Sequence, residues 1–162
     1  MSVLSNLQIE AIAHLCKIRC HTCCVDELPS IVPTNASEPV YVVYNHSRST
    51  DLDGGTHWSG LVYTKNMAYT VDSYGRYPLP ELVAFCKSRG VPLMYSATQI
   101  QDDKSVDCGW WALGYVIWFD RNYRTSDPNT IIERWLDTFS EYSYKHNDTI
   151  LVEFWKLVRG GQ

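Results

Sequence analysis

Residues 57–75 read HWSGLVYTKNMAYTVDSYG. Two runs rich in β-branched and aromatic side chains flank Lys65-Asn66, the pattern of two strands joined by a tight turn. A turn centred between Lys65 and Asn66 sets Ser59 opposite Asp72 and His57 opposite Tyr74. His57 and Asp72 are then diagonal neighbours on one face, their backbones about 7–8 Å apart, so their side chains can meet. An imidazole oriented by a carboxylate is two-thirds of a nucleophilic triad.

The third member is sought further along, in QDDKSVDCGWW, residues 101–111. Cys108 stands at the start of CGWWALGYVIWFDR, which is apolar nearly all round and predicts a buried central helix. Unpaired N–H groups and the dipole at a helix start favour a thiolate. The polar run before Cys108 keeps the site near solvent, and the aspartates in it are expected to point outward. Gly109 leaves room for a substrate backbone, and Trp58, next to His57, is expected to wall the cleft. Gln101, seven residues before the cysteine, is placed to donate to a developing oxyanion together with the Cys108 N–H; Gln99 competes for that role.

Outward from these stretches the chain alternates element types. Ser5 and Gln8 form a capping box that opens a helix over about residues 6 to 18, with Leu7, Ala11, Leu15 and Ile18 as its apolar stripe. DELPSIVPTNASEP reads as loop, and VYVVYN (40–45) as a strand. RSTDLDGG reads as an exposed loop, a helix follows from Pro78 to about Lys87, and PLMYSAT reads as a strand. Asp127-Pro128 opens a helix to about Ser140, and a last helix spans about Asn147 to Leu157. This order predicts one α+β domain over residues 1–162: a small, mostly antiparallel central sheet flanked by helices.

Composition narrows the function classes. Hydrophobic residues make up 45% and charged residues 20%, so the chain should fold. The net charge of −4 argues against nucleic acid as an obligatory partner. No apolar run approaches a membrane span, and the first residues lack signal-peptide order, so an intracellular protein with reduced thiols is expected. Cys16, Cys20, Cys23 and Cys24 crowd together with His14 and His21. That grouping admits a non-catalytic zinc-binding interaction module, but its spacing is not a standard knuckle, and apolar cysteines at a helix end and turn explain it as well. No metal or other cofactor is expected.

With His57, Asp72, Gln101 and Cys108 in this chain order, the sequence resembles the adenovirus proteases (adenains) and their clan, which includes enzymes that process ubiquitin-like proteins. GGTHW is similar to the adenain Gly-Gly-x-His-Trp motif, TVDSYG to its acid-bearing strand end, and Gln101 to Cys108-Gly109 to its oxyanion glutamine and nucleophile. IIERWLDTFSEYSYKHN extends the likeness more weakly. The resemblance implies an adenain-like fold and a viral cysteine endopeptidase with a Cys108-His57-Asp72 triad. It also implies cleavage of viral precursor proteins after glycine, in the infected cell's nucleus or cytoplasm or in the virion. A ubiquitin-like-modifier isopeptidase is the alternative within the same chemistry. Adenain uses DNA and a disulfide-linked peptide; here the chain is acidic and Gly90 stands at the activating cysteine's position, so neither dependence is expected.

Overall fold

In the computed structural model, residues 1–52 and 56–161 are described; Gly54 and Gly55 of the GGTHW motif and the end of the RSTDLDGG loop lie outside them. Five strands form one sheet whose spatial order is the chain order: β1 (Cys20–Cys24), β2 (Val40–Asn45), β3 (Trp58–Tyr63), β4 (Ala68–Val71) and β5 (Leu93–Ser96). The central pairs are antiparallel, while β1 and β5 join the edges in parallel. The sheet is thus mixed rather than mostly antiparallel. The predicted hairpin register holds, with Gly60 opposite Val71 and Tyr63 opposite Ala68.

Side-chain alternation along the strands builds two cores. Tyr41, Val43 and Val62 face α1 (Asn6–Leu15), α4 (Cys108–Asn122), α5 (Pro128–Asp137) and α6 (Tyr144–Gly160). Val42, Tyr44, Leu61 and Tyr63 face α2 (Leu28–Ile31) and α3 (Pro80–Ser88). Helices therefore flank the sheet on both faces, as expected. That is why β2 is buried along its whole length and reads as an unbroken apolar run.

Three readings of local structure are corrected. CHTCC forms the edge strand β1, because α1 stops at Leu15 and Lys17 turns the chain at φ 61°. The apolar stripe of α1 is not the predicted one: Ile9 and Ala13 are buried, while Leu7 and Leu15 are 72% and 65% exposed. The segment read as loop after β1 holds a 3-10 turn (Val25–Glu27) and the single turn of α2.

The central helix α4 crosses β3 at unusually close range. A Cβ at Gly60 would lie 2.7 Å from the Tyr115 ring and 2.9 Å from the Ala112 carbonyl oxygen. Glycine at position 60 therefore sets how near the start of α4 comes to the end of the hairpin that carries His57 and Asp72.

Candidate active site

His57 immediately precedes β3 and Asp72 immediately follows β4, so the hairpin register brings them to one end of the sheet. His57 Nε2 lies 3.1 and 3.2 Å from the two Asp72 carboxylate oxygens. Asp72 also accepts from the Tyr74 backbone N–H at 2.7 Å and from the Ser59 hydroxyl at 3.1 Å. Burial favours the neutral acid, but the bond and charge of His57 and the Tyr74 N–H outweigh it, and the Asp72 pKa falls. With an ionised acceptor on Nε2, the His57 proton sits there and Nδ1 is bare. Nδ1 is buried and makes no conventional hydrogen bond. Tyr74 stacks on the imidazole, centroids 4.6 Å apart.

Cys108 is the first residue of α4 and is half-buried. Burial pushes its thiol up, yet a side-chain interaction with His57, backbone bonds from Trp58 and Gly109 and the imidazolium charge bring it down overall. Burial likewise pushes His57 down, and Asp72 and Cys108 together lift it above its usual value. Each group thus favours the charged form of the other, which is the electrostatics of a thiolate–imidazolium pair.

The remaining predicted residues fall out differently. Gln101 is fully buried and ties two segments together: its Oε1 accepts from the Ser73 hydroxyl at 2.5 Å, and its Nε2 donates to the Ser105 carbonyl at 3.1 Å. One amide N–H remains after that bond. Gln99 spends its amide on Gln101 O and Asp103. At Gly109 an added Cβ would lie 3.1 Å from Leu4 and 3.5 Å from Trp58, so the first turn of α4 packs closely there. Trp58 is half-buried, and its indole donates to the Leu4 carbonyl at 3.2 Å. Asp107 is not turned outward; it is buried, with the Met1 ammonium 3.5 Å away.

One member of the cluster escaped the sequence reading. His46 follows β2, and its N–H donates to the His57 carbonyl at 2.9 Å, which carries the β2–β3 ladder one step further. Its Nε2 lies 2.8 Å from Ser59 Oγ and 3.4 Å from Asp72 Oδ2. Ser59 gives its only proton to Asp72, so His46 must donate through Nε2. Burial and the neighbouring His57 charge drive the His46 pKa down to about 4. Pairing Asn45 with Trp58 was the signal that would have found it.

A cavity of about 480 Å³ opens beside His57, lined also by Thr56, Tyr74, Arg76 and Asp103. A second, of about 420 Å³, opens beside Trp58 and includes Asn6, Asn45 and Cys24. The N-terminal cysteines do not assemble a metal centre: Cys20 joins the core under α4, and Cys23 joins the core on the opposite face.

Comparison with known proteins fits this arrangement at the level of fold. No family model matches the chain, and no curated protein matches it. Among solved structures, the ASFV pS273R protease superposes with a TM-score of 0.53 at 14% identity, over 75% of this chain and 59% of that one. AvrA, in a structure with IP6 and CoA, overlaps at a TM-score of 0.48 and 14% identity, over 92% of this chain and 66% of that one. The chain therefore shares its fold with the ASFV protease, in keeping with the adenain-like fold expected, and it spans just under three-fifths of the length of that enzyme.

Proposed function

We propose that the chain is a cysteine endopeptidase of the adenain type. The observation that supports this is the meeting of Cys108, at the start of α4, with His57, whose ring Asp72 holds at 3.1 Å. Asp72 holds the His57 ring through Nε2–H. Bare Nδ1 takes the Cys108 proton, and the thiolate attacks the scissile carbonyl carbon. The oxyanion is held by the Cys108 N–H and the remaining amide N–H of Gln101. His57 then protonates the leaving amine, and a water activated by the same Nδ1 hydrolyses the thioester.

The substrates in this reading are viral precursor proteins cleaved after glycine, with Trp58 beside the cleft. Activity needs neither DNA nor a disulfide-linked peptide: Gly90 offers no thiol, and Cys86 on α3 is buried, with burial pushing its pKa up to about 11. The test is labelling with a peptide electrophile ending in Gly, followed by mass mapping. Label on Cys108, absent in Cys108→Ala, is expected; label on another cysteine, or none, would remove the reading. Ubiquitin-like C-terminal fluorogenic substrates, run beside capsid-precursor peptides, distinguish an isopeptidase from an endopeptidase.

A further inference from the structure

His46, His57 and Asp72 are the sole group among the described residues whose metal-ligating atoms lie close enough to share one ion, all within 4.8 Å of one another. His57 Nε2 is 3.1 and 3.2 Å from the Asp72 oxygens, and His46 Nε2 is 3.4 Å from Oδ2. Zinc binds imidazole nitrogen and carboxylate oxygen at about 2.0–2.1 Å, so two ligands at adjacent corners of its tetrahedron stand about 3.3 Å apart. The two imidazole–carboxylate spacings match that edge, and the imidazole nitrogens lie within 4.8 Å of each other. Two imidazoles and one carboxylate also form a donor set that zinc takes with its fourth position open.

The group is held in place by its surroundings. Backbone pairing fixes His46 to His57, the Tyr74 N–H fixes Asp72, and the His46 ring stacks on Tyr44, centroids 5.6 Å apart. Ser59 Oγ orients Asp72 from outside the group, and its 2.8 Å bond to His46 Nε2 is the one that an ion would replace. The cavity of about 480 Å³ beside His57 reaches one member of the group.

We propose that His46, His57 and Asp72 form an inhibitory site for one divalent transition-metal ion of the zinc class. No redox step is involved. The ion takes the Nε2 lone pair of each imidazole, and each ring proton moves, through solvent, from Nε2 to Nδ1. Asp72 supplies one negative charge. For His57 this places hydrogen on Nδ1, the atom that must be bare to accept the Cys108 proton. Inhibition therefore rests on the protease reading, whereas binding of the ion does not.

The experiment is titration of the full chain with Zn²⁺ against a chromophoric chelator at pH 7, for wild type, Cys108→Ala and His46→Gln. Wild type and Cys108→Ala should bind one ion equally. His46→Gln should bind it about 100-fold more weakly or worse, since even outer-group losses cost 10–100-fold. No binding by wild type, unchanged binding by His46→Gln, or loss in Cys108→Ala would each overturn the proposal. Cobalt absorption of wild type needs no variant: four-coordinate bands without a sulfur-to-cobalt charge-transfer band are expected, and such a band would overturn it. None of these readouts depends on peptidase activity, so they fail separately from the labelling of Cys108.

Discussion

Strand β1 carries Cys20, Cys23 and Cys24, and the first turn of α4 carries Cys108. Burial pushes all four thiols toward the neutral form. On β1 little opposes it. Cys20 and Cys23 are pushed up to about 12, and the carboxylates of Glu27 and Asp26 push Cys23 and Cys24 further the same way. At α4 the surroundings reverse the sign, through an imidazole and two backbone N–H groups. Burial alone therefore does not separate a structural cysteine from a reactive one here. The donors around the sulfur do.

The sharpest way to break that contrast is His57→Ala. It should lower turnover by about 10²–10⁴-fold. It should also make Cys108 resemble the β1 thiols: alkylation by iodoacetamide, which follows the thiolate, should shift to higher pH. In wild type the thiolate should form below the ordinary thiol range, and turnover should fall on the alkaline side only above the usual histidine value, as His57 loses its proton. If the alkylation profile did not move, His57 would not be the group that lowers the thiol.

Gln101→Ala should cost about 10²–10³-fold in kcat with little change in KM, because an oxyanion donor acts in the transition state. Gln99→Ala is the control and should be mild. Equal losses would assign Gln101 a structural role alone, through Ser73 and Ser105. Smaller again is Gly60→Ala, which touches neither thiol nor imidazole. The added Cβ must displace α4 or Tyr115, and a misplacement of about 1 Å at the reacting atoms costs up to about 10²-fold. Alkylation of Cys108 should then drift toward β1 behaviour in a protein that still folds by circular dichroism; an unchanged profile would show that Tyr115 alone yields.

Much of this was legible in the sequence, and the reasons are physical. The hairpin register followed from a two-residue turn between alternating runs, and it placed His57 beside Asp72 correctly. Helix α4 was legible from its nearly unbroken apolar composition. Strand β1 was not, because four cysteines and a histidine carry little strand signal and its place depends on pairing with β2. His46 and the packing of Leu4 against Gly109 are contacts between segments distant in sequence, and no local pattern announces them. Trp110 and Trp111, which follow Cys108-Gly109, are buried in the core, with the Trp110 indole donating to Ser2 O at 2.8 Å.

The coincidence of spatial and sequential strand order bears on how the molecule assembles. Each strand's partners are its immediate predecessors and successors, so the sheet can grow by short-range steps, which are the fast ones. The imidazole and its carboxylate belong to one hairpin and meet across only 15 residues of chain. The sulfur comes later in the chain, on α4, which packs across β3. A nascent chain therefore acquires its base and acid before its nucleophile. The proposed peptidase is complete only once α4 has docked against the sheet that already holds its base and acid.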